Sequence, residues 1–240
     1  MFPYDPALAV AVRNPAHSIA DVLRTLRAID ATCIDADGLK WFNWLYLQVT
    51  NAVQARISGS VGGFSSAAWL AELDVQFARL YFSALDAALT SGPCPGCWRA
   101  LFGCRSNARL ARIQFALAGI NAHINRDLPE AIVATCKATH TVPLHGTPQY
   151  ADYTSVNSTL DALIEAARKT LHVRLPGDPL PPVSQLEDVI GAWKVGAARE
   201  TAWVNAEALW NLPSPLTDNL KHSIDGLTAV VGKTMLVPVP

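Results

Sequence analysis

Apolar residues recur at helical spacing along almost the whole chain. Over 17–35, Ile19, Val22, Leu23, Leu26 and Ile29 follow i, i+3, i+4 steps, with Ser18 placed to cap the helix. Gly38 interrupts this pattern. A second helix is predicted over 39–57, and Trp41, Phe42, Trp44, Leu45, Tyr46, Val49 and Val53 make it apolar nearly all round. Such a helix belongs at the centre of a core rather than on its surface. A Gly/Ser loop at 58–65 leads to a third helix reaching about 89, capped by Ser65 and Ser66 and facing inward with Leu70, Leu73, Phe77, Leu80, Tyr81, Ala84 and Leu85. Gly92, Pro93, Pro95 and Gly96 form a stop and a turn. A short helix follows over 97–102 and a longer one over 107–125, and Pro129 sits where a new helix to about 139 would begin. After a loop at 140–149, helices are predicted over 150–172, 185–210 and 216–232. Neither strand alternation nor an internal repeat is evident. The pattern predicts an all-α, single-domain bundle of about eight or nine helices spanning 1–240. Residues 1–15 form an N-terminal arm, 175–183 a Pro-rich loop, and 233–240 an extended C-terminal tail.

Composition narrows the function classes. Half of the 240 residues are hydrophobic, only 16% are charged, and the net charge is −1. A near-neutral chain with a pI near 6.6 lacks the basic footprint of a nucleic-acid binder. No apolar run reaches the length of roughly 18 residues that a membrane span needs. The N-terminus shows no basic region followed by a long apolar stretch, so a secretory leader is not expected. Five cysteines, an odd number, then read as reduced thiols of a cytoplasmic protein.

Against this apolar background, residues 121–129 stand out. Asn121, His123, Asn125, Arg126 and Asp127 follow directly on the apolar run 113–120 and precede Pro129. Polar groups at the end of a core helix must be paired or used, because unpaired burial is costly. His123 and Asp127 are four residues apart, as are Asn121 and Asn125. On an ideal helix the two pairs occupy different faces. The chemical reading makes Asp127 the orienting partner of a general acid/base, His123. A metal reading adds Asp74 or Asp152 as a further ligand. The structural reading makes the segment a helix end, with His123 at the dipole and the amides and carboxylate as caps. One observation separates them. The catalytic reading fails if both ring nitrogens of His123 are bonded to protein.

Other candidates are weaker. Asn43, Tyr46 and Thr50 share one face of the second predicted helix. Asp74, among Leu73, Val75 and Phe77, is expected to pair with Arg112, Arg126 or Arg199. Arg199, Trp203, Glu207 and Trp210 form one stripe, which reads as a pocket wall or, more commonly, as plain core. Cys94 and Cys97 make a C-x-x-C motif with Cys104 close by, but without the βαβ setting of a redox motif or a fourth zinc ligand. Gly59, Gly62 and Gly63 lack the features of a phosphate-binding loop, and no nucleophile elbow occurs.

Phe42, Asn43, Leu45, Tyr46, Val49 and Thr50, then Leu73, Asp74, Phe77, Tyr81 and Trp98, and above all the nonapeptide 121–129, resemble a family catalogued as a domain of unknown function in actinobacteria and fungi. The resemblance covers about 15–212. It implies a helical single domain and a site near the nonapeptide, and it implies no particular reaction. The reading favours an enzyme of specialised metabolism acting on a small, largely apolar substrate between helices, by cyclisation, isomerisation or hydrolysis. His123 and Asp127 carry the proton chemistry. Asn43, Tyr46, Asn121, Asn125, Arg199, Trp203 and Trp210 hold the substrate. No cofactor and no bound metal are called for, and a homodimer is compatible with the chain. The alternatives are a metal-dependent hydrolase and a non-catalytic protein that binds an apolar ligand or a partner.

Overall fold

Helix α1 (Asp5–Val12) opens the chain, followed by α2 (Ile19–Thr32), α3 (Gly38–Ile57), α4 (Ala67–Leu89), α5 (Gly96–Cys104) and α6 (Arg112–Asn121). A π-helical segment (Ala122–Asp127) joins α6 directly to α7 (Leu128–Ala138), and α8 (Pro148–Ser155), α9 (Asn157–Leu171), α10 (Val195–Asn211) and α11 (Leu216–Met235) complete the bundle. The computed structural model describes residues 4–59, 63–171 and 194–238. The Pro-rich loop expected at 175–183 and the start of the helix expected at 185–210 lie outside the described residues. No strand occurs among the described residues, and the fold is the all-α bundle the pattern predicts.

The differences from the predicted pattern have local causes. Part of the N-terminal arm is α1, because Leu8 and Val12, one turn apart, reach the core against α2 and α4. The span 150–172 divides at Val156 into α8 and α9. The last helix continues to Met235, so only the final residues can form the tail. Its end is held by Gln114, whose side-chain amide donates to the carbonyls of Met235 (2.8 Å) and Val237 (2.9 Å).

Helix α3 lies at the centre, as its all-round apolar surface requires. It packs on α2, α4, α6 and α9. Gly119 of α6 gives Phe42 of α3 its place, since a Cβ on Gly119 would stand 2.3 Å from the Phe42 ring. The mirrored contact is Gly38 of α3 against Phe115 of α6, also 2.3 Å from a built Cβ. Long-range carboxylates cap two helix starts. Asp152 accepts from the amides of Ser65 (3.2 Å) and Ser66 (2.5 Å) at the start of α4, where Ser66 itself makes no side-chain cap bond. Asp225 does the same at α5, accepting from Gly96 (2.8 Å) and Cys97 (3.0 Å). By contrast, Ser18 caps α2 as expected, through the amide of Asp21 at 3.2 Å.

Candidate functional site

The chain does not stop at residue 125 and restart at Pro129. The backbone amide of Leu128 bonds to the carbonyl of His123, five residues back, and the helix runs on as a wide π turn. Proline explains the widening. In a regular α-helix the Pro129 ring would press on the Asn125 carbonyl and leave it without its amide partner. A π turn relieves that contact, and such turns often accompany functional sites. The segment packs against α4, α5, α10 and α11 as well as its two flanking helices. Its side chains therefore face neighbours on every side.

His123 is 3% exposed and Asp127 fully buried. The His123 Nδ1 stands 3.0 Å from Asp127 Oδ2. The same oxygen accepts from Trp98 Nε1 of α5 at 2.9 Å, and Oδ1 accepts from Arg126 Nη1 at 2.8 Å. Arg126 also pairs with Glu130 at 3.1 Å, and Lys221 with the other Glu130 oxygen at 3.1 Å. Asp127 is thus a carboxylate held by three donors on three sides. In a neutral ring the proton then belongs on Nδ1, facing the carboxylate, and the Nε2 lone pair is left open. Burial lowers the His123 pKa against the opposing pull of Asp127. Burial thus favours the neutral imidazole.

Nε2 of His123 is buried and has no hydrogen-bond partner among the described residues. His123 lines an interhelical cavity of about 90 Å³. Most of that wall is apolar, built from Phe42, Leu45, Val49 and Val53 of α3, Leu70, Leu73 and Phe77 of α4, Ile124 and Leu128, Val156, Leu160 and Ile164, and Val195 of α10. Phe77 stacks flat on the imidazole, centroids 3.4 Å apart and planes within 5°. Tyr46 meets its edge at 4.6 Å. The polar members of the wall are His123, Tyr46, Asp74 and Arg199. Asp74 Oδ2 is buried without a hydrogen-bond partner among the described residues, and the buried Tyr46 hydroxyl lies against Thr50 one turn along α3. Burial raises the Asp74 pKa to about 7 and carries the Tyr46 hydroxyl far above its ordinary value, with Asp74 and Asp127 adding to the effect. The wall therefore combines an imidazole, a carboxyl group whose pKa burial raises, and a phenol.

A family model matches residues 19–238. The chain belongs to the family of unknown function DUF5995. No curated protein and no solved structure matches it. The DUF5995 match extends to 238, past the 212 expected from the resemblance, and takes in α11, the helix that closes over Asn121.

The expected substrate-binding residues divide. Tyr46 and Arg199 line the cavity with His123. Asn43 does not. Its amide donates to the Leu26 carbonyl at 2.9 Å and its oxygen faces Tyr81, tying α3 to α2 and α4. Asn121 and Asn125 also lie elsewhere. Asn125 donates to Asn121 at 3.0 Å, and Asn121 donates to the Thr228 carbonyl of α11 at 2.9 Å. This face of the π turn anchors α11 and lines a separate surface pocket with Thr201, Asn205 and Thr228. Trp203 is core, packed on Trp69, Tyr150 and Tyr153 and bonded to Glu207 at 3.2 Å, while Trp210 packs half-buried at the core's edge. The Arg199 stripe runs past the end of the cavity, and only its first member reaches it.

Among the described residues, Asp74 has none of the ion pairs expected for it. Arg126 is taken by Asp127 and Glu130, Arg199 by neutral groups, and Arg112 lies over Trp41 at 4.2 Å. Asp152, the other carboxylate considered for a metal, is committed to its cap. Among the described residues no three His, Cys, Asp or Glu side chains gather as metal ligands. The cysteines are unpaired thiols, and burial, with Asp127 and Asp225 nearby, raises the Cys97 pKa. The carboxylate that caps α5 cancels the field that would activate a thiol at a helix start. His145 is a contrasting histidine. Both its nitrogens meet carboxylates, Glu207 at 2.6 Å and Glu200 at 2.8 Å, so it serves as a strut between loop and helix.

Proposed function

We propose that this protein is an enzyme that moves a proton on a small, largely apolar molecule held in the interhelical cavity, with His123 as the general base and acid. The observation that carries this reading is the asymmetry of the imidazole: Nδ1 is fixed by Asp127, while Nε2 is buried and unbonded among the described residues, on a side chain that lines an apolar cavity. Desolvation keeps the ring neutral and able to accept a proton. The imidazolium formed is stabilised by Asp127, whose own position depends on Trp98 and Arg126. Asp74, in its neutral form, and Tyr46 supply donors for an oxygen that gains charge as the proton leaves. Abstraction from a carbon beside a carbonyl, with return at another position, is an isomerisation that needs no second reactant. Cyclisation makes the same demands, and hydrolysis adds a water on Nε2. The five unpaired thiols support a reducing, cytoplasmic setting, and the reaction fits specialised metabolism.

The test needs no known substrate. Small lipophilic ketones, enones and lactones are incubated with the protein in deuterated water, and exchange beside the carbonyl is followed by NMR. We expect exchange of at least one compound well above the rate with free imidazole. His123→Ala should abolish it, and Asp127→Asn should lower it by about 10³–10⁴-fold, the scale of a lost orienting carboxylate. Circular dichroism checks that both variants remain helical. Exchange undiminished in His123→Ala would end the proposal. Tight binding with no exchange by the wild type would favour a non-catalytic carrier of apolar ligands, a reading consistent with the largely apolar wall.

A further inference from the structure

Arg199 is a buried cation without a counter-ion among the described residues. It is 6% exposed and lines the same cavity as His123. Its Nε donates to Asn157 Oδ1 at 2.7 Å and Nη2 to the Tyr153 carbonyl at 2.8 Å, while the guanidinium lies 3.9 Å over the Tyr153 ring. All of these partners are neutral. Two other arginines packed into the fold are held differently. Arg105 holds Asp37 at 2.5 Å and Asp5 at 3.4 Å, and Arg126 holds Asp127 and Glu130. A guanidinium is always charged and carries five N–H donors, so two bonds leave donors over. Burying such a charge without an anion is costly, and the protein retains that cost at a cavity wall.

The surroundings indicate which anion would suit this charge. A planar guanidinium fork matches a carboxylate in two parallel hydrogen bonds. Val195, one turn before Arg199, and Val156, Leu160 and Ile164 offer only hydrocarbon beside it. The acidic member of the wall is Asp74, which forms no ion pair with Arg199 among the described residues. We propose that the ligand of this cavity is an apolar monocarboxylate, with its carboxylate on Arg199 and its hydrocarbon body along these aliphatic side chains. This inference rests on the reading of the cavity as a ligand site and adds the charge of the ligand to it.

Calorimetry of the whole protein tests it with butanoate, hexanoate and octanoate, each beside the primary alcohol of the same length. We expect at least one acid to bind about tenfold or more tightly than its alcohol. Arg199→Gln should erase that preference and keep the alcohol's affinity, and Arg199→Lys should restore part of it. Arg199 also anchors Tyr153 and Asn157. If the Gln variant fails to fold, the wild-type comparison of each acid with its alcohol and its primary amide decides the question alone. Alcohols that bind as tightly as the acids would overturn the carboxylate and leave the cavity reading standing. No binding by any acid, alcohol or amide would overturn both.

Discussion

Asp74 shows how one side chain's surroundings decide its chemistry. Its carboxyl group has neither an ion pair nor a hydrogen bond among the described residues, and burial lifts its pKa from 3.8 to about 7. Between those values the folded protein holds a proton that the unfolded chain releases. Asp74 therefore costs increasing stability as the pH rises from about 4 through 7. Asp74→Asn removes that titration. In urea unfolding, the variant should gain on the wild type by about 2–3 kcal/mol more at pH 8 than at pH 5. An equal difference at both pH values would mean that Asp74 is not held neutral. His123 has the opposite sign. Its folded pKa lies below the ordinary 6.5, so its contribution is full above that value and is lost as the pH falls. The same burial thus lowers one pKa and raises another on one cavity wall, the pairing that the proposed proton transfer would use.

At the scale of elements, the π turn and the long-range caps do the positioning. A regular α-helix through 121–129 could not carry Pro129 without losing a hydrogen bond. The wider turn carries it and keeps both four-residue pairs, His123 with Asp127 and Asn121 with Asn125, each at 3.0 Å. His123 of one pair lines the cavity, and the other pair ties down α11. Helix α5 brings Trp98 to Asp127, and its start is capped by Asp225 of α11. Asp225→Ala leaves two amides unpaired and should lower stability by about 1–2 kcal/mol in thermal unfolding. Binding in the cavity should be unchanged, because neither Asp225 nor the capped amides line it. Weakened binding would show that the seating of α5 reaches the site through Trp98. These caps also mark where local reading stops. Ser65 and Ser66 have the right chemistry to start α4, yet a carboxylate 86 residues away does the capping.

At the scale of the whole molecule, the cavity belongs to no single helix. Segments from α3, α4, the π turn, α9 and α10 line it, and filling it should block the site without touching its polar groups. Leu160→Phe adds volume to the α9 side of a 90 Å³ space. The variant should lose carboxylate affinity and deuterium exchange while its melting temperature stays within a few degrees of wild type, because the ring enters space that the surrounding helices leave open. Retained exchange would place the chemistry outside this cavity.

The period of the apolar residues determined the helices, and the all-round apolar surface of α3 placed it at the centre, because burial must satisfy each helix's hydrophobic face. The polar nonapeptide likewise marked His123 and Asp127, since such groups do not enter an apolar helix unpaired. Spacing along one helix also put Tyr46 beside Asn43 and Arg199 beside Trp203. It could not tell which of them meet empty space, because helices on the far side of the fold decide that. Asn43 turned to α2 and Asn121 to α11, while Asp74, expected in an ion pair, was left facing the cavity. Sequence order carries periodicity and local hydrogen bonding. Which buried polar group goes without a partner is decided only when distant helices close around it.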